Sequence, residues 1–199
     1  MSNPKISIII PTSDMKNGEF FLARCLGSIK NQTYQNYEII TPKEGKVAHN
    51  LNVGIKQATG DIIKILCMDD YLWHPQALQI LVDSWPFKWS VSGCVHDNGQ
   101  EVYGRHAPGW NDKLYMGYNT IGGLSVLTFE NNEPLLYTEG LDWTLDVDMY
   151  TRLYQRYGLP AFLMDATVCI GIGEHQLTST LNDQQKKYEE ELMLQKYGK

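Results

Sequence analysis

The chain has 199 residues, 43% hydrophobic and 20% charged, with 17 Lys plus Arg against 23 Asp plus Glu and a formal net charge of −6. A chain of this length buries about 70% of its unfolded surface and needs neither disulfides nor a structural metal to fold. Its composition is that of one ordinary globular domain. An acidic chain without a basic run is not built for general nucleic-acid binding, which draws on phosphate neutralisation. No apolar run approaches the roughly 20 residues of a membrane span, and the first residues lack a signal-peptide core. Four scattered cysteines (Cys25, Cys67, Cys94, Cys169) form no CxxC pair, which predicts a reduced, cytoplasmic protein.

The first hundred residues alternate between two periods. Ile6 to Ile10 is a β-branched run closed by Pro11 and reads as a buried strand. Leu22, Cys25, Leu26 and Ile29 follow at helical spacing. Tyr37 to Thr41 is a second strand stopped by Pro42. Val47, Leu51, Ile55 and Ala58 then repeat as a helix that Gly60 ends. Asp61 to Cys67 is a third strand, and Pro75 suits the first turn of a helix carrying Leu78, Leu81, Val82 and Trp85. This alternation predicts right-handed crossovers and an α/β fold with a single, mainly parallel central sheet flanked by helices.

Beyond residue 98 the pattern is less regular. Val91 to His96 and Gly123 to Phe129 read as strands, separated by a Gly-, Asn- and aromatic-rich loop from Asn98 to Gly122. Trp143 to Tyr157 predicts a helix with an acidic first turn, and Ala161 to Ile172 holds one or two strands. Asn182 to Tyr197 is a charged helix with few apolar residues, suited to the surface. The expected organisation is one domain over 1–181, with a regular half (1–97) and a less regular half (98–181). The surface helix occupies 182–199.

Ligands of open parallel sheets bind at the carboxyl ends of the strands. The third strand ends there in Cys67-Met68-Asp69-Asp70. Adjacent carboxylates repel unless a hard cation neutralises them, and carboxylate oxygens suit Mg²⁺ or Mn²⁺, which in turn bind diphosphate. The same pair also reads as a plain polar turn.

Several segments taken together resemble the family 2 glycosyltransferases, inverting sugar-nucleotide-dependent enzymes of the GT-A fold. Ile6 to Thr12, Phe21 to Thr33 and Tyr37 to Ile40 are similar to that family's first strand, helix and second strand. Asn52 to Asp61, followed by Met68 to Leu72 and Pro75, is similar to the segment entering its acidic metal-binding motif. Leu145 to Leu153 is similar to the helix that carries its catalytic base. The resemblance spans residues 5 to 180 and implies a small single-domain member with a nucleotide-diphospho-sugar transferase fold, its catalytic domain (1–181) divided into a nucleotide-sugar and metal half (1–97) and an acceptor and base half (98–181).

The resemblance implies roles for individual residues. Asp69 and Asp70 hold the metal, Asp70 as the more direct ligand and Asp69 near the sugar or ribose. Asp146 is the general base, with Asp148 as its rival; a first-turn carboxylate also answers to the helix dipole. His175, after the last strand, is a metal or diphosphate ligand or else a structural histidine. Thr12, Asp14 and Asn52 lie toward the nucleotide, and Gly122, Gly123 and Ser125 belong to the acceptor-side segment that approaches the donor sugar. Trp110 and Trp143 are candidates for stacking on a sugar ring or for packing, and Lys43 and Lys46 for phosphate contacts.

Three departures stand out. Thr41-Pro42-Lys43-Glu44 replaces the acidic cluster that reads the nucleotide base, Leu145 replaces the glutamate before the base, and Cys67 replaces the first acid of the longer acidic motif. The expected function is a metal-dependent (Mn²⁺ or Mg²⁺), hexosyltransferase-like enzyme. It moves a sugar from a nucleoside-diphosphate sugar to a hydroxyl of a carbohydrate or other acceptor, with inversion. The alternative is an inactive transferase-like module that binds sugar or nucleotide.

Overall fold

The computed structural model describes residues 3–198. Strands β1 (Ile6–Ile9), β2 (Tyr37–Ile40) and β3 (Ile62–Ile65) alternate with helices α1 (Gly18–Lys30) and α2 (Val47–Gln57). A two-residue strand β4 (Tyr71–Leu72), helix α3 (Ala77–Asp83), the long strand β5 (Trp89–Asp97) and its hairpin partner β6 (Val102–His106) follow. The remainder is β7 (Leu127–Glu130), α4 (Leu145–Tyr157), β8 (Ala161–Gly171), a single turn α5 (Leu177–Thr180) and α6 (Asp183–Tyr197).

Every residue of β1 and β3 is buried, as expected of strands covered by helices on both faces. α2 lies directly on β1: a Cβ at Gly54 would sit 2.4 Å from Ile9 Cγ2. The sheet runs β2-β1-β3-β7-β5-β8-β4, with β6 on β5. Parallel pairing is confined to β2-β1-β3 and to β5-β8. β7 runs antiparallel to both β3 and β5, and β4 antiparallel to β8. The α/β architecture is as expected, but the sheet is mixed rather than mainly parallel, because the antiparallel strands lie where the sequence loses its strand–helix rhythm.

β6 falls inside the expected 98–122 loop. Its residues are largely exposed, and Gly104 interrupts any alternation, so no buried face marks it in sequence. Two Asx contacts build the turn before it, Gly99 N to Asp97 Oδ1 at 2.8 Å and Gln100 N to Asn98 Oδ1 at 2.9 Å. Residues 161–171 form one strand rather than two, and only the end of the expected 123–129 strand, from Leu127, is extended. α6 starts where its sequence indicates, with Asn182 Oδ1 accepting from Gln185 N at 2.8 Å. It lies on the surface but is firmly docked, since Glu189 and Met193 are buried.

Candidate active site

The loop leaving β3 carries Cys67, Asp69 and Asp70, whose ligand atoms lie within 4.8 Å of one another. The two carboxylates have different surroundings. Asp70 is buried, and both oxygens are engaged by the protein: Oδ2 accepts from Ser125 Oγ at 2.5 Å and Oδ1 from Gly171 N at 2.8 Å. Among the described residues, Asp69 has only its own backbone amide as a donor to its carboxylate, with Oδ2 3.4 Å from His175 Nε2. Burial raises both carboxyls above their ordinary range, and for Asp70 the neighbouring Asp69 charge adds to it.

His175 Nε2 is a buried nitrogen without a hydrogen-bond partner. Its separation from Asp69 Oδ2 is that of two atoms sharing one ion, for which metal–ligand bonds of about 2.1 Å are typical. An orphaned imidazole nitrogen facing a carboxylate fits a divalent cation. Phe21 supports the His175 ring from one side, with centroids 4.4 Å apart. The expectation placed Asp70 as the more direct ligand. In the structure each Asp70 oxygen accepts one hydrogen bond from the frame, whereas Asp69 Oδ2 and His175 Nε2 face one another.

Several residues outside the expected set hold this loop. Arg24 on α1 donates to the Asp69 carbonyl and to Asp97 Oδ2, both at 2.7 Å, and lies 4.4 Å over the Tyr71 ring. Gly171 passes so close that a Cβ there would meet the Asp69 carbonyl oxygen at 2.5 Å. Lys64, fully buried on β3, donates to the Ser125 carbonyl. Burial pulls its ammonium down to about 7 while the Asp70 charge opposes that shift. Ser125 Oγ also accepts from Cys67 N at 2.7 Å. In sequence, Lys64 is a lone cation in an apolar strand, a signal that a buried partner exists without saying which.

At the carboxyl end of β1 a cleft of about 590 Å³ is lined by Thr12, Asp14, Gly18, Lys43 and Met68, among others. Thr12 is buried, with its amide and hydroxyl both donating to the Pro42 carbonyl at 3.0 and 2.9 Å. Asp14 is exposed and pairs with Lys43 at 2.6 Å. The short loop after β2 is pinned by buried Asn50, whose amide donates to Thr12 O and accepts from the Glu44 and Gly45 amides. Asn52, expected toward the nucleotide, is buried. It bonds both backbone groups of Tyr137, at 2.7 and 3.0 Å, and so anchors the segment that leads to α4.

α4 begins at Leu145, with Asp146 and Asp148 in its first turn. Asp146 is half-buried, its Oδ2 accepting from Asn119 Nδ2 at 2.9 Å and its Oδ1 from Val147 N at 2.7 Å. Burial pushes its carboxyl up to about 6, outweighing those hydrogen bonds. Asp148 is fully enclosed. It bonds Arg152, Thr138, Lys196 and Tyr197 at 2.6–2.8 Å. Burial favours its neutral form, yet these donors hold the carboxyl below the usual range. The two aspartates therefore separate: one faces a loop with a carboxyl poised near neutral pH, the other fastens α6.

α6 also supplies Glu189, whose buried carboxylate accepts from the amides of Asp142, Trp143 and Thr144 at 2.8–3.1 Å. The N-cap Thr144 makes no side-chain cap, and Glu189 instead fixes the entry to α4 by accepting from Thr144 N and the two amides before it. Lys46 pairs with Asp142 at 2.6 Å. Trp143 donates to Glu190 and lies beneath Lys186, while Trp110 stacks on Tyr154 at 4.1 Å. Both tryptophans thus pack within the protein. Gly123 leads into the turn at Leu124–Val126, and its carbonyl accepts from Tyr150 OH at 2.9 Å.

Residues 119–125 join the two acidic centres. Asn119 holds Asp146, the Gly122 and Gly123 carbonyls hold Tyr150 of α4, and Ser125 holds Asp70. No helix among the described residues is long and apolar enough to cross a membrane.

No family model matches the chain, and no curated protein sequence does. Solved structures do match. S. aureus TarS 1-349 in complex with UDP-GlcNAc aligns with TM-score 0.70 at 17% identity, over 95% of this chain and 65% of that one. Mannosyltransferase PcManGT from Pyrobaculum calidifontis, in complex with GDP-Man and Mn²⁺, aligns with TM-score 0.66 at 13% identity, over 90% of this chain and 60% of that one. This chain thus spans less than two thirds of the length of either solved chain, and 42% of a longer S. aureus TarS structure. The class is defined by the fold: a glycosyltransferase fold of GT-A type, with a curled mixed sheet between helices.

Proposed function

We propose that the chain is a family 2-type inverting glycosyltransferase that moves a hexosyl group from a nucleoside-diphosphate sugar to an acceptor hydroxyl. The observation that carries this reading is the 119–125 segment. It binds a loop of paired carboxylates at one end and a half-buried carboxylate with a pKa of about 6 at the other. The fold shared with complexes of UDP-GlcNAc and GDP-Man supports a nucleotide-sugar donor. The cleft at the end of β1, walled by Thr12, Asp14 and Lys43, is where its nucleotide would lie.

Asp69 and His175 would hold a divalent ion, with Asp70 fixing the loop beneath them; an imidazole nitrogen in the set favours Mn²⁺ over Mg²⁺. Such an ion supplies Lewis-acid stabilisation of the charge that develops on the departing diphosphate. Asp146 accepts the proton of the acceptor hydroxyl as its oxygen bonds to the anomeric carbon from the side opposite the diphosphate. The bond from that carbon to the diphosphate oxygen breaks, and its electron pair leaves with the nucleoside diphosphate. A carboxylate near pKa 6 is ionised at pH 7 and still basic enough to assist.

The experiment is a turnover screen of UDP-GlcNAc and GDP-mannose, with and without Mn²⁺, on the wild type, Asp69→Asn and His175→Ala. The reading predicts hydrolysis or transfer of one donor, dependent on Mn²⁺ and lost in both variants. Donor binding without turnover in any condition would instead support a sugar- or nucleotide-binding module.

A further inference from the structure

The 117–122 loop meets α4 through one side chain that sequence reading passes over. Asn119 makes four hydrogen bonds. Its Oδ1 accepts from Ile121 N and Gly122 N at 3.0 and 3.1 Å, and its Nδ2 donates to Gly122 O at 3.1 Å and Asp146 Oδ2 at 2.9 Å. These partners fix the amide orientation, since a flipped amide would set its oxygen against a carbonyl and a carboxylate. Tyr150 OH donates to the carbonyls of Gly122 and Gly123 at 3.2 and 2.9 Å and staples the same loop to α4 one turn further on. The loop and the first turn of α4 thus form one unit, and exposed Tyr118 sits on it beside Asn119.

We propose that Asn119 is the positioning residue of the Asp146 base, fixing the orientation of its carboxylate and tying it to the loop at which the acceptor arrives. The inference rests on the reading of Asp146 as the base. A structural loop asparagine needs only its own turn, which the bonds to Ile121 and Gly122 complete. The additional donation to a half-buried carboxylate acts on that carboxylate, because a hydrogen bond to the charged form favours it.

The surroundings of Asp146 leave Asn119 as the side chain that acts on it directly. The phenols facing it, Tyr137 and Tyr150, are pushed far above their usual range by burial and stay neutral. Among the charged groups around the helix start, Asp148 is paired with Arg152 and Lys196, and Asp142 with Lys46. Glu189 of α6 is held by the amides of residues 142–144.

The test is a carboxyl ¹³C NMR titration of the whole chain labelled at aspartate, with the Asp146 signal assigned by its loss in Asp146→Asn. Asp146 is expected to titrate near pH 6 in the wild type. In Asn119→Ala it is expected to titrate higher by about one pH unit, the effect of losing one hydrogen bond to a charged group. Asn119→Asp, which sets a second carboxylate beside the first, is expected to raise it further. With the donor that the screen identifies, kcat of Asn119→Ala at pH 6.5 should fall while KM for the donor holds, and the acid limb of the rate profile should move with the NMR value. An unchanged Asp146 titration in a folded Asn119→Ala protein overturns the proposal. Full activity in Asp146→Asn overturns the base reading instead, whatever Asn119 does to the titration.

Discussion

The two halves of this sheet are held together by different forces. From β1 to β3 the chain is fixed mainly by apolar burial: isoleucines fill the strands, Lys64 apart, and α1 and α2 cover them. From β7 onward the framework depends on buried charge. Asp148 gathers two cations and two hydroxyls from three segments, and Glu189 reaches from α6 to the amides before α4. The first arrangement writes itself into sequence as periodicity. The second joins residues roughly fifty positions apart and leaves only isolated polar letters.

The sharpest way to break this contrast is to remove a buried charge. Asp148→Ala leaves Arg152 and Lys196 without their partner and should cost about 3–5 kcal/mol in chemical unfolding. Ile63→Ala, in the buried strand β3, should cost about 2–5 kcal/mol. The two differ in response to pH. Asp148 has its carboxyl held below its ordinary value by Lys196, Tyr197, Arg152 and Thr138, against its own burial. Its contribution is complete above the ordinary carboxylate range and is lost as pH falls below about 4 through the folded value. Acid should therefore free α6 early, read as new proteolytic cuts between residues 177 and 198, and Asp148→Ala should lack that step.

Gly171→Ala tests the join between the halves. A methyl there strikes the Asp69 carbonyl, so about 1–3 kcal/mol of stability should go together with Mn²⁺ affinity. The smallest effects are expected at exposed contacts. Asn182→Ala removes one cap and should cost about 1 kcal/mol. Lys88→Ala, in an exposed pair with Glu130, should cost under about 1 kcal/mol.

The same contrast explains what could be read from sequence. The strand–helix order up to α3 is legible because each element buries one face at its own period. Asp69, Asp146 and His175 are legible as residues by resemblance, and the structure gives each a distinct setting. The different surroundings of Asp69 and Asp70 are not legible, because they depend on Ser125, in the Leu124–Val126 turn, and Gly171, at the end of β8, both far away in the chain. β6 is missed because an exposed edge strand has no buried face. The docking of α6 is missed because its anchors, Glu189, Lys196 and Tyr197, look like ordinary residues of a solvated helix.

The central claim is that Asp146 is the base of a sugar transfer. The most direct measurement compares turnover and donor binding in the wild type and Asp146→Asn, with Mn²⁺ and the donor found among UDP-GlcNAc and GDP-mannose. A fall in kcat of about 10²–10⁴-fold, with donor Kd unchanged and the same fold, is the predicted result. Turnover within a few-fold of the wild type would contradict it.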